Sequence, residues 1–148
     1  MRLSIIGPQL SDHDSLMGWL ATNKGRNVRG YANHIWQGLT SLAFARALLT
    51  VIEIGRPRKG LFHLPSPQPI SKGTLLRKMS DCFSWRVDVD LVDAPNKTDR
   101  SMESRRSLIT DLNIAPIEEQ LVELREFVES RGSCYPLYLP GPDLASPG

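Results

Sequence analysis

The 148-residue chain is 41% hydrophobic and 23% charged, ordinary values for a folded protein and outside the disordered range. Its 18 basic and 16 acidic residues leave a formal net charge of +2, too balanced for nucleic acid or an anionic membrane to be an obligatory partner. No run approaches the roughly 20 apolar residues of a membrane span, and Cys82 and Cys134 have neither metal-type nor redox-type spacing, which fits a reducing cytoplasm.

The apolar run at residues 3–6 is cut by Gly7-Pro8, too early for a signal peptide, and is expected as a short buried strand feeding a loop. Asp12 or Asp14 is placed to cap a helix with Leu16, Trp19 and Leu20 on one face, ending near Asn23-Lys24-Gly25. Residues 28–31 suit a minor strand. Thr40 reads as the N-cap of the next helix, with Leu39 and Phe44 as a hydrophobic staple. That helix places Leu42, Ala45, Leu49 and Ile52 on one stripe, and Gly55-Arg56-Pro57 stops it.

Gly60 and Pro65 bracket an apolar run at 61–64, expected as a strand buried on both faces. Ser71 caps a helix carrying Leu75, Leu76, Met79 and Phe83, with Ile70 and Leu75 as its staple. Val87, Val89 and Leu91 alternate with Asp88 and Asp90, the pattern of a half-exposed strand. A short helical stretch around Leu108 and Leu112 reaches Asn113, which tolerates a left-handed stop. Pro116 opens a helix with Glu118 and Glu119 in its first turn and Ile117, Leu121, Leu124 and Val128 on its apolar face, closed by Gly132. Residues 1–132 thus form the folded portion, and the proline-rich 133–148 segment is expected to be a loose tail.

Strands alternating with helices predict parallel pairing and an α/β class. The 3–6 and 61–64 strands are expected to lie parallel, with the 40–54 helix against them. Two short buried strands are too few for a doubly wound domain, so the chain reads as part of a larger sheet. A sheet cut in this way exposes apolar faces and open edges, which favours self-association into a homo-oligomer.

The signatures of a complete enzyme are missing. There is no G-x-G-x-x-G after a strand, no Walker loop, no H-E-x-x-H and no G-x-S-x-G. Tyr31, Tyr135 and Tyr138 all lack a lysine four residues on, the partner that many dehydrogenases use in protonating a carbonyl oxygen. No catalytic residue, metal ligand or cofactor contact is assigned. Asp88 and Asp90 read as the solvated face of their strand rather than a metal site, and His63 as a satisfied core histidine rather than a base.

Two segments carry polar chemistry. The 31–40 loop brings together Asn33, His34, Trp36, Gln37 and Thr40, whose amide, imidazole, indole and hydroxyl groups suit sugar recognition; an ordinary capped connection has the same composition. Lys97, Arg100, Arg105 and Arg106 oppose the dipole of the short helical stretch they precede. Either a bound diphosphate offsets them through bidentate contacts, or Asp99 and Glu103 do so in a solvated turn.

Taken in order, these segments resemble one family. Arg2-Leu3-Ser4-Ile5-Ile6-Gly7-Pro8 looks like the strand and loop that follow the catalytic helix in extended short-chain dehydrogenases, which in the dTDP-4-dehydrorhamnose reductase branch read roughly R-T-S-x-x-x-G. Gly38-Leu39-Thr40 with Leu42-Ala43 is similar to that branch's G-x-P-T…L-A passage, with Leu39 where proline is usual. Gly60-Leu61-Phe62-His63-Leu64 resembles its G-x-Y/F-H/N strand, and Pro69-Ile70-Ser71 the start of its next helix. Asp99 through Arg105 resembles R-P-x-x-S-x-L-D, and Asn113 through Glu119 the G-x-x-P-x-x-E helix entry.

The resemblance covers about residues 2 to 129 and implies a partial Rossmann-like fold: the C-terminal portion of such an enzyme, with its substrate-binding subdomain. It implies a nucleotide-sugar substrate, with Asn33, His34, Trp36, Gln37 and Thr40 near the sugar and Arg100 and Arg105 near the diphosphate. NAD(P) and the Tyr/Lys pair would belong to an N-terminal cofactor-binding half, so this portion is expected to bind no cofactor alone. Reduction of a 4-keto-deoxysugar nucleotide is the activity implied for the whole. An epimerase or dehydratase portion and a non-catalytic binding remnant are the alternatives.

Overall fold

The computed structural model describes residues 1–54, 60–103 and 112–140. In chain order the elements are β1 (Ile5–Ile6), α1 (Leu16–Thr22), β2 (Asn27–Tyr31), β3 (His34–Trp36), β4 (Leu39–Thr40), α2 (Ser41–Glu53), β5 (Ile70–Ser71), α3 (Lys72–Cys82), β6 (Asp88–Val92), β7 (Thr98–Arg100) and α4 (Ile117–Ser130), then a 3-10 turn at Pro136–Tyr138. It is a mixed α/β, Rossmann-like fold in which most pairings are parallel, as strand–helix alternation predicts.

β2 and β6 form the longest ladder, five parallel pairs from Asn27–Asp88 to Tyr31–Val92. The alternation of β6 is realised: Val87 and Val89 are buried while Asp88 and Asp90 face solvent. Leu91, expected inside, is exposed, opposite Gly30 one pair before the ladder ends. α3 lies across this pair so closely that a Cβ on Gly30 would sit 2.7 Å from the Cα of Gly73. Glycine at both positions removes the clash and lets helix and sheet meet.

β1 pairs in parallel with β4 through Ile5–Leu39 and Ile6–Thr40. Just before it, Arg2 bridges His63 in parallel, with Arg2 N–H donating to Phe62 at 2.7 Å and Leu64 N–H donating to Arg2 at 3.1 Å. The expected parallel arrangement of the 3–6 and 61–64 runs is therefore present. The second run is not a strand buried on both faces, however: Phe62 and Leu64 point in, while Leu61 is exposed and His63 half-buried. A third small sheet, not foreseen, sets β3 between antiparallel β5 and parallel β7.

The helices follow their local signals closely at the caps and less closely on their faces. Thr40 Oγ1 accepts from Ala43 N–H at 3.2 Å and Ser71 Oγ from Thr74 N–H at 3.0 Å, both as expected. Ser15, not Asp12 or Asp14, caps α1 by accepting from Gly18 N–H, and Asp12 and His13 adopt positive φ of 66° and 35° just before it. The inward face of α1 is Met17, Leu20 and Ala21, and Trp19 is largely exposed.

α2 also turns differently from its predicted stripe. Leu42 is partly covered, but Ala45, Leu49 and Ile52 face solvent, and the helix seats on Ala43, Phe44 and Ala47 against Leu3, Leu39 and Leu64. Small residues four apart allow the closer approach. α4 buries Ile117, Leu121, Leu124 and Val128 as expected, with Pro116 at the N-cap and Arg131, rather than Gly132, at the C-cap. Asn113 has the anticipated left-handed φ of 42°.

The main core joins α1, β2, α3, β6 and α4 around Trp85, Phe83, Met17 and Met79. Tyr138 belongs to it and is fully buried, so residues 133–140 are not the loose tail expected. Three groups fasten that segment: Gln9 N–H donates to Tyr138 Oη at 2.9 Å, Trp85 Nε1 donates to the Tyr138 carbonyl at 3.1 Å, and Lys24 Nζ donates to the carbonyls of Leu137 and Leu139. An aromatic ring with a satisfied hydroxyl outweighs the proline content around it. The Gly55 stop, the stretch around Leu108, and residues 141–148 lie outside the described residues.

Candidate functional site

The 31–40 loop is two short strands held by side chains to distant backbone. Asn33 clamps Ala94, donating to its carbonyl at 2.8 Å and accepting from its N–H at 2.9 Å. His34 Nε2 donates to the Asn96 carbonyl at 3.0 Å, and Trp36 Nε1 donates to Ser4 Oγ at 2.7 Å. Gln37 is buried, donating to the Ser66 carbonyl at 2.7 Å and accepting from Met102 N–H at 2.9 Å. Thr40 is fully buried at the start of α2, and its N–H donates to Gln120 Oε1 at 2.9 Å. Each of these five side chains is thus engaged within the chain, and those of Asn33, His34 and Gln37 bond Ala94, Asn96 and Met102 on either side of β7.

β7 runs beside β3 with Trp36 opposite Arg100. It leads into an open cleft of about 700 Å³ lined by Arg2, Ser4 and His63 on one side and Asp99, Arg100 and Glu103 on the other. Asn33, His34, Gln37 and Thr40 do not line this cleft. A neighbouring recess of about 450 Å³, between Gln37, Pro65 and Asn113, shares Met102 with it. Arg105 and Arg106 lie outside the described residues.

The cleft mixes both charges. Asp99 accepts from Ser101 N–H at 2.8 Å, and its hydrogen bonds from Ser101 hold its carboxyl below the usual carboxylate range. Neither Arg2 nor Arg100 has an ion-pair partner among the described residues. His63 donates from Nδ1 to the Glu103 carbonyl at 3.0 Å, leaving Nε2 buried and without a hydrogen-bond partner among the described residues. It is half-satisfied rather than the fully satisfied core histidine expected. Arg2, Ser4 and His63 were not foreseen in one place with Arg100; the parallel Arg2–His63 bridge assembles them, and only the R-x-S and F-H patterns hinted at it.

Among the described residues each helix start is occupied. Ser15, Thr40 and Ser71 cap α1, α2 and α3 with their own hydroxyls, and α4 opens with Glu118 and Glu119. A Cβ on Gly7 would lie 2.2 Å from Ser41 Oγ and one on Gly18 2.4 Å from the His13 carbonyl, so these glycines serve packing within the chain. The described residues do not fit a dinucleotide pyrophosphate, which needs free N–H groups at a helix start.

The fold has counterparts among enzymes that modify nucleotide-linked sugars. The dTDP-glucose 4,6-dehydratase of Bacillus anthracis, solved with NAD, superposes with a TM-score of 0.62 at 14% identity, over 91% of this chain and 45% of that one. The dTDP-4-dehydrorhamnose reductase of Yersinia enterocolitica gives 0.62 at 15% identity, over 82% and 46%. The UDP-N-acetylglucosamine 4-epimerase of Bacillus cereus gives 0.63 at 9% identity, over 86% and 46%. The chain therefore has the fold of one part of these proteins and spans somewhat less than half of their length. No family model and no curated protein matches the sequence.

Proposed function

We propose that this chain is the substrate-binding part of an NAD(P)-dependent enzyme acting on a nucleotide-linked sugar, with reduction of a 4-keto-deoxysugar nucleotide as the reaction of the whole. The cleft between Arg2, His63 and Arg100 carries the reading, because it joins guanidinium groups that have no ion-pair partner among the described residues to a buried ring nitrogen, His63 Nε2, without a hydrogen-bond partner there. Arg100, with Arg105, grips the diphosphate through charge-assisted bonds. Asn33, His34, Trp36, Gln37 and Thr40 act on the sugar side, by contact or by holding β7 in register beside it.

In this reading the hydride chemistry of NAD(P) comes from a cofactor-binding half outside this chain. The chain's own residues bind and orient the substrate; none is assigned a proton transfer. A dehydratase or epimerase portion is the second reading, favoured by structural neighbours of both kinds at similar TM-scores.

Calorimetric titration of the purified chain with dTDP-glucose and UDP-N-acetylglucosamine tests the proposal. Saturable binding that weakens in Arg100→Ala is expected. Binding of neither nucleotide sugar would remove the substrate role and leave a scaffold without a ligand.

A further inference from the structure

The Tyr138 hydroxyl lies where the 9–13 loop meets the 3-10 turn, and its surroundings fix where its hydrogen goes. The residue is fully buried, so bulk water does not reach it. Two groups stand within hydrogen-bond distance of Oη among the described residues, Gln9 N–H at 2.9 Å and His13 Nδ1 at 3.3 Å. A backbone N–H only donates, so Gln9 takes one lone pair of the oxygen. The hydroxyl's own hydrogen is then left with a single acceptor, Nδ1 of His13. The opposite assignment, with a hydrogen on Nδ1, strands a buried O–H without a partner. A neutral imidazole with a bare Nδ1 is therefore the form that fits this contact.

The backbone beside the ring is strained. Asp12 and His13 are consecutive non-glycine residues with φ of 66° and 35°. Such backbone persists only where surrounding contacts hold it in place. For His13 that contact is Tyr138, whose ring meets the imidazole edge-on with centroids 5.8 Å apart. Of the titratable groups on the elements that meet here, Asp12 and Asp14 flank His13 in its own loop, and α1 carries no charged residue. Lys24, after α1, is bound to the carbonyls of Leu137 and Leu139, and Tyr135 packs on Tyr138. No ion pair joins the imidazole to a carboxylate among the described residues.

We propose that His13 is a proton-operated latch on the 133–140 segment. The neutral ring accepts the Tyr138 hydrogen and helps hold the segment against α1 and Trp85. Protonation puts a hydrogen on Nδ1, so Oη meets two donors while its own hydrogen has no acceptor. The segment then opens more readily, and the loop at Asp12 and His13 relaxes from its left-handed backbone. Closure is favoured above the range in which imidazoles titrate, about pH 6.5, and weakens as pH falls through it. Lys24 and Trp85 still hold carbonyls of the segment, so release is partial. The inference is independent of any sugar-nucleotide role.

Amide hydrogen exchange on the full chain, corrected for the intrinsic rate at each pH, tests it between about pH 8 and about pH 5. The Tyr138 N–H donates to the Tyr135 carbonyl at 3.0 Å, so its protection reports the segment. In the wild type that protection is expected to fall about tenfold relative to the amides of α4. In Tyr138→Phe and His13→Gln it is expected to stay level, since the first has no hydroxyl hydrogen to strand and the second no imidazole to protonate. Should neither variant fold, the ring-nitrogen NMR shifts of His13 in the wild type decide, with a bare Nδ1 expected at the upper pH. A hydrogen on Nδ1 there would overturn the proposal. So would wild-type protection that ignores pH, or a fall of the same size in both folded variants.

Discussion

Gln120, inside α4, accepts the backbone N–H of Thr40 at 2.9 Å while donating to the Ala115 carbonyl at 2.6 Å. One buried amide therefore ties the start of α2 to the entry of α4. Gln120→Leu keeps the volume roughly constant and leaves a buried donor and acceptor unpaired, which costs about 1–3 kcal/mol. A lowered melting temperature with an unchanged fold is the expected result, read by differential scanning calorimetry.

The 133–140 segment is part of the core, so shortening the chain at Ser133 should lower its melting temperature sharply. Tyr138→Ala alone removes a fully buried ring and should cost about 3–5 kcal/mol. Tyr138→Phe loses the acceptor for Gln9 N–H and the hydroxyl contact with His13 Nδ1, a smaller effect that chemical denaturation resolves.

Lys78 and Glu118 form an ion pair at 2.8 Å, and the lysine's hydrogen bond pulls the Glu118 carboxyl below its ordinary value of 4.5. A folded-state value below the unfolded one stabilises the fold above the unfolded pKa, and that contribution is lost as pH falls through the folded pKa. The pair is largely exposed, so its worth is about 0.2–1 kcal/mol and salt weakens it. Urea titrations at descending acidic pH should show a shallower loss of stability in Glu118→Gln than in the wild type.

Arg100 is exposed, and its guanidinium has no ion-pair partner among the described residues, so Arg100→Ala should leave the melting temperature unchanged. If it grips a diphosphate, the same change should weaken nucleotide-sugar binding by about 1.5–3 kcal/mol. Equal affinity in the two proteins would return the cluster to a solvated turn.

With every described helix start capped or acidic, titration with NADPH should show no saturable change in nicotinamide fluorescence. Binding at micromolar cofactor would reveal a grip built without glycine-permitted N–H groups.

Features decided within four residues were legible in the sequence. Thr40 and Ser71 announce their helices because a cap and its recipient N–H are local, and the alternation at 87–90 marks its strand for the same reason. The inward face of α2 was not, because apolar residues surround that helix and the choice of Ala43 and Ala47 depends on α4 and Leu64, distant in sequence. Tyr138 was misread because proline content is local while its receiving pocket is not. The candidate site divides likewise. Arg100 drew attention by its charge, whereas Arg2 and His63 meet only through a parallel bridge between remote segments.

The hydrogen bond from Gln9 to Tyr138 spans 129 residues. During synthesis the main core is short of a ring until residue 138 has been added, and the loop at Asp12 and His13 waits for the same event. Docking of this segment therefore comes late in the formation of the main core, and a chain without Tyr138 would present an unfilled core to proteases and chaperones.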